Sequence, residues 1–152
     1  MTDPARGPNI QFFGDTLEVG IIGGKAASLA RMVSAGMPVP PGFSLTADAY
    51  NTHLRQSGLD DKISQQLANL DGSDPAALSG VSSDILEMFS ASQMPSEIAQ
   101  QTIEAYQRLA ETSQFSPTAD FAGLPVSVRS SATAEDLPCA SCPARHAPFL
   151  NT

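Results

Sequence analysis

At 152 residues and 41% hydrophobic composition, the chain is long enough for one domain with its own apolar core, and nothing in it demands a second. A net charge of −8 and a pI near 4.4 exclude a nonspecific nucleic-acid binder, which depends on clustered Lys and Arg to displace counterions from phosphates. No apolar run approaches the roughly 20 residues of a membrane span, and "MTDPARGPNI" lacks the apolar centre of a signal peptide, so a cytoplasmic protein without a membrane partner is expected.

The opening residues, with Pro4, Gly7 and Pro8, read as irregular until "IQFF" at 10–13, a short apolar run of strand length. In "GGKAASLARMVSAGMPVPPGF" the residues Ala26, Leu29, Ala30 and Val33 fall at helical spacing. Gly36 is a natural stop, and Pro38, Pro40 and Pro41 forbid continuation, so the spacing predicts a helix over about 24–35. "GFSLTADAY" predicts a short strand carrying Phe43 and Leu45, then a helix capped by Thr46 and running to about Ser57. From 59 to 113 the pattern is helical in pieces, with starts at Asp74-Pro75 and Pro95-Ser96; in the last piece Ile98, Thr102, Ala105 and Leu109 share one face. "SQFSPTADFAG" has the composition of a loop, and "LPVSVRSS" alternates like a strand running into a polar turn.

Two polar centres stand out. The lysines of the chain are Lys25 and Lys62, and Lys25 follows Gly23 and Gly24 in the first turn of a predicted helix. A cation there opposes the macrodipole, whereas two glycines leave backbone N–H groups open to approach, and an anion would resolve both features. An exposed lysine at an ordinary loop-to-helix junction is the alternative. The stretch is not a P-loop, because Val19 stands where that motif needs Gly and Ala26 where it needs Ser or Thr. In "VSVRSSATAEDLP", Arg129 ends a strand-like run with the hydroxyls of Ser130, Ser131 and Thr133 behind it, and a guanidinium fork suits phosphate oxygens. A polar turn with Arg129 paired to Glu135 and a Thr133 to Asp136 capping box is the alternative here.

Together, "VGIIGGKAASLARMVSAGMPVPPGFSLTADAY" and "LPVSVRSSATAEDLP" resemble, in order and spacing, the N-terminal ATP-binding region of the family of phosphoenolpyruvate synthases (pyruvate, water dikinases), pyruvate phosphate dikinases and rifampicin phosphotransferases. The likeness runs from about residue 10 to 138. It implies an α/β (α+β) fold, the first lobe of an ATP-grasp domain, with a helix-rich middle and short strands, so that residues 1–152 form a single partial domain. It also implies that Lys25 and Arg129 bind ATP phosphates, with Gly23, Gly24, Ser130 and Ser131 as weaker contacts. The cofactors implied are ATP and Mg²⁺, the ligands of Mg²⁺ lying outside this chain, and a separate chain carrying the rest of the enzyme is a further partner the resemblance allows.

In that family the β-phosphoryl group of ATP passes through a phosphohistidine to pyruvate or another acceptor, and neither His53 nor His146 lies in a motif resembling the phosphohistidine site. The expectation is an ATP-binding fragment of a phosphoenolpyruvate synthase, inactive as a phosphotransferase by itself. A rifampicin phosphotransferase fragment and a noncatalytic remnant without nucleotide binding are the alternatives. A lobe of this kind buries one face against its neighbour, so an exposed apolar face is expected.

The tail, "PCASCPARHAPFLNT", departs from the pattern. Ala140 and Ser141 match the family, Cys142–Pro148 do not, and Phe149 to Asn151 match again in register. Such a departure over 139–148 is what a local reading-frame slip would leave, and a clean in-frame resequencing read would remove its support. Cys139, Cys142 and His146 have metal-like spacing but number three where a zinc site usually takes four, and Pro143 and Pro148 restrict the segment. Two reduced thiols are the expectation. Ala144 and Arg145 stand where the family carries Gly and Gln of a phosphate-covering loop, which puts ATP closure in question.

Overall fold

A computed structural model describes residues 8–113 and 123–133, together with the backbone of 149–150. The described elements are β1 (Ile10–Phe12), α1 (Val19–Ser34), β2 (Phe43–Leu45), α2 (Ala47–Ser57), α3 (Leu59–Ala68), α4 (Pro75–Ala91), α5 (Ser96–Thr112), β3 (Ser127–Val128) and β4 (Phe149–Leu150). The chain is thus helix-rich with short strands, a mixed α and β fold. β1 and β2 pair antiparallel, with Ile10 opposite Leu45 and Phe12 opposite Phe43; β3 and β4 pair antiparallel, with Ser127 opposite Leu150.

Local chemistry explains the boundaries. At the end of α1, Gly36 adopts φ +73, its N–H reaches the carbonyl of Val33 at 2.9 Å, and the N–H of Met37 reaches Met32 at 3.0 Å. These paired bonds close the helix as a Schellman motif, which needs a residue free to take positive φ. Thr46 caps α2 by accepting from the amide of Ala49 at 3.2 Å, and Asp74 caps α4 by accepting from Ala76 at 2.9 Å, with Pro75 in the first helical position. One boundary differs from the sequence reading: helical turns begin at Val19 instead of about 24, and the backbone breaks at Gly23 (φ 78, ψ 166) before continuing. The apolar run Val19, Ile21 and Ile22 explains the extra turn, since Ile22 is buried and the other two pack on the same cluster.

The core is built of small side chains. Ile22, Ala26, Ala27 and Ala30 form its centre, with Phe13 packed against it. α1 contacts α2 and β2, and α5 contacts β1. Ile98, Ala105 and Leu109 are the buried residues of α5, on the face expected from their spacing. Asn9 is buried and its side-chain amide donates to Gln101 on α5 at 3.0 Å, which ties the β1 entry to that helix. α3 bridges α2 and α4. No residue of α4 is buried, and Leu78 and Leu86 on it, with Leu67 on α3, are exposed.

Candidate functional site

Gly23 divides α1, so the helix that matters to the site begins with Gly24, Lys25 and Ala26. A helix start presents backbone N–H groups without intrahelical partners. No local side chain serves them: Gly23 has none, and Glu18, at the head of the preceding turn, makes no side-chain cap bond. The partners come instead from the second polar centre. Ser131 Oγ accepts from the amide of Ala26 at 3.1 Å, and the carbonyl oxygen of Ala132 accepts from the amide of Gly24 at 3.1 Å.

The two centres separated by about a hundred residues in sequence are therefore one place in the fold. Lys25 sits between the two bonded amides, and Arg129 lies two residues before Ser131. Lys25 is partly buried; Arg129 and Ser130 are exposed, and Ser131 is partly buried. A second anchor holds the same segment from the other side, because the hydroxyl of Tyr106 on α5 donates to the carbonyl of Leu124 at 2.8 Å. Residues 123–133 thus run from α5 past β3 to the head of α1.

This arrangement alters one physical expectation. The amides of Gly24 and Ala26, read from the sequence as open to an anion, are occupied by the chain itself. Beside those amides the chain carries the ammonium group of Lys25 and the guanidinium fork of Arg129, one a compact point charge and the other a planar array of donors. That donor set fits a polyphosphate. Sequence reasoning missed Ala132, whose contribution is a carbonyl oxygen and so independent of side-chain type. A signal existed, since "VGIIGGKAA" carries no Ser, Thr, Asn or Asp to cap a helix that starts at Gly24.

Other candidates fall elsewhere. A groove of about 300 Å³, with Phe12, Phe13, Val33 and Leu109 among its lining, includes neither Lys25 nor Arg129. Asp15, Arg108 and Thr112 line it as well, so the groove is mixed in character. His53 stacks on Phe89 with ring centroids 5.9 Å apart, and its Nε2 is 2.9 Å from Ser92 Oγ. Among the described residues, no three His, Cys, Asp or Glu side chains gather as metal ligands would. Glu135, Asp136, Cys139, Cys142, His146 and the whole 139–148 segment lie outside the described residues. Among the described residues, no helix is long and apolar enough to cross a membrane.

Comparison with known proteins identifies a family. The sequence pattern of the pyruvate phosphate dikinase AMP/ATP-binding domain matches residues 19–152. The chain is 43% identical over 134 residues to a probable phosphoenolpyruvate synthase of Methanocaldococcus jannaschii, covering 88% of this chain and 11% of that protein. It is 40% identical over 134 residues to a phosphoenolpyruvate synthase of Pseudomonas aeruginosa, covering 86% of this chain and 16% of the relative. With the phosphoenolpyruvate synthase of Helicobacter pylori it shares 36% identity over 148 residues, 93% of this chain and 18% of that one. The chain therefore spans less than a fifth of the length of these relatives. With all of the sequence from Val19 onward inside one domain pattern, the chain belongs to the pyruvate phosphate dikinase AMP/ATP-binding domain family.

Proposed function

We propose that the chain forms the N-terminal lobe of an ATP-grasp nucleotide site, in which Lys25 and Arg129 hold the phosphates of ATP as part of phosphoenolpyruvate synthesis. The observation that carries this reading is the docking of Ser131 and Ala132 on the head of α1, which gathers the Gly23-Gly24-Lys25 and Arg129-Ser130-Ser131 motifs at one point of the fold. ATP is the cofactor, and it supplies the phosphoryl group. The Mg²⁺ that accompanies it draws its ligands from outside this chain. Residues 1–152 then act as a single partial domain, and the remaining chemistry is contributed by sequence beyond it or by a second chain.

Phosphoryl transfer is mostly positioning and neutralisation of spread negative charge. Lys25, mounted on the first helical turn, supplies a charge whose place is fixed by the backbone on either side of it. Arg129, on the turn after β3, supplies donors that span two oxygens of one phosphate or bridge neighbouring ones. Gly23, Gly24, Ser130 and Ser131 contribute more weakly to this proposal, Ser131 with its oxygen already engaged by the amide of Ala26. With the Gly24 and Ala26 amides bonded within the chain, the side chains carry the greater share of the phosphate grip. The names of the three relatives support pyruvate over rifampicin as the acceptor of the complete reaction.

The test is a calorimetric titration of the purified chain with ATP and Mg²⁺, alongside Lys25→Ala and Arg129→Ala. Saturable binding lost or weakened at least tenfold in each variant is expected, roughly the size of a lost charge-assisted contact. Absence of binding by a folded sample, or equal binding by all three proteins, would overturn the phosphate reading in favour of a noncatalytic module.

A further inference from the structure

The contact that unites the two motifs has a built character that neither motif alone displays. The helix beginning at Gly24 has Gly23 in the cap position and Ala26 three residues on, where a capping Ser or Thr would ordinarily place its oxygen. Ser131 delivers that oxygen from 105 positions away in the sequence. Its neighbour Ala132 adds a backbone carbonyl on the amide of Gly24, so two of the orphan donors of the helix start are satisfied by consecutive residues of one turn.

Gly23 makes room for this. Its φ 78 and ψ 166 fall in a region essentially restricted to glycine. A β-carbon built there would overlap the carbonyl oxygen of Ser131 and crowd its Oγ. Gly23 is buried, so the crowding could not be relieved by moving into solvent. Gly23 and Ser131 therefore form a matched pair in which the missing side chain of one is the seat of the other.

We infer that Ser131 and Gly23 are positioning residues: Ser131 and Ala132 latch the 129–133 turn onto the head of α1 through the space Gly23 leaves, and the latch sets where Arg129 stands relative to Lys25. The functional consequence rests on the phosphate reading of Lys25 and Arg129, whereas the latch rests on the bonds of Ser131 and Ala132 to the head of α1. Ser131 thereby acts through Arg129 by holding its turn. Its oxygen faces the amide of Ala26.

The experiment combines amide hydrogen exchange of the full chain, measured without ligand, with ATP titration of the same samples. Ser131→Ala should accelerate exchange at Ala26 and Gly24 by roughly five- to tenfold, the scale of a lost helix cap, with exchange in α2 unchanged. Ser131→Thr keeps the hydroxyl and should restore slow exchange. Where wild type binds ATP, Ser131→Ala should weaken binding by a similar factor and Ser131→Thr should recover it. Gly23→Ala should reproduce the Ser131→Ala pattern, and the double variant should add little to it, because both changes break one contact. Unchanged exchange at Ala26 in Ser131→Ala would overturn the latch even if Gly23→Ala failed to fold. Faster exchange with unaltered ATP affinity would overturn the positioning role. A wild type that binds no ATP but shows the exchange pattern would sink the nucleotide reading while supporting the latch.

Discussion

The hydroxyl of Thr46 donates to the carbonyl of Pro8 at 2.9 Å while its oxygen accepts from the amide of Ala49 at 3.2 Å. One buried side chain thus caps α2 and pins the chain entering β1, and the backbone N–H of Thr46 adds a third bond to the carbonyl of Asn9 at 3.0 Å. Thr46→Ala should lower unfolding free energy by about 1–2 kcal/mol, the range for a lost cap with a second hydrogen bond beside it. Thr46→Ser should retain most of the stability. Urea unfolding of the three proteins checks this, and equal midpoints would show that the cap contributes nothing.

Burial separates two aliphatic side chains on successive helices. Ile98 on α5 is 2% exposed and Leu86 on α4 is 65% exposed. Ile98→Ala should destabilise the fold by about 2–4 kcal/mol through lost burial and the cavity left behind. Leu86→Ser should stay within about 0.5 kcal/mol of wild type. Denaturant midpoints measured side by side decide it; a large loss from Leu86→Ser would mean that α4 packs more deeply in solution.

The sequence legibility of the fold follows the range of the forces involved. Helix ends set by nearby chemistry were readable: the Gly36 stop, the Thr46 and Asp74 caps and the Ile98, Ala105, Leu109 stripe all arise within a few residues. The early start of α1 was not, because the two glycines that look like a helix start mark a break inside it, and the turn before the break is held by packing of Val19, Ile21 and Ile22 in a cluster that also takes in Phe13 from outside the helix. At the site, residue types marked Lys25 and Arg129, but nothing in their spacing joins them. That juxtaposition depends on a bond across 105 residues between Ser131 and Ala26, and on a carbonyl of Ala132 that any residue could offer.

The segment carrying Arg129 is held from its other end by Tyr106, whose hydroxyl donates to the carbonyl of Leu124 at 2.8 Å. Tyr106→Phe removes this bond and keeps the ring. A destabilisation of about 1 kcal/mol is expected. Amide exchange should quicken within residues 123–133 while β1 and β2 stay protected. If protection of Ser127 and Val128 were untouched in Tyr106→Phe, the anchor would be immaterial to the segment.

Asp71, in the turn between α3 and α4, gives a pH prediction with a defined sign. Its Oδ1 accepts from the hydroxyl of Ser73 at 2.7 Å and from the amide of Ser73 at 2.9 Å. These bonds, the hydroxyl first, favour the ionised carboxylate and lower its pKa below the ordinary 3.8. A carboxyl whose folded pKa is depressed contributes stability that is present above the unfolded value and is lost as pH falls through the folded one. Asp71 therefore supports the turn from neutral pH down to about pH 4, and the support disappears below that. The group is fully exposed, so the effect belongs to the local turn and is screened by solvent. In Ser73→Ala the hydroxyl bond is gone and the amide bond remains, so the carboxyl titration followed by NMR should shift upward toward 3.8 without necessarily reaching it. Identical titration midpoints in wild type and Ser73→Ala would show that the hydroxyl does not hold the carboxylate in solution.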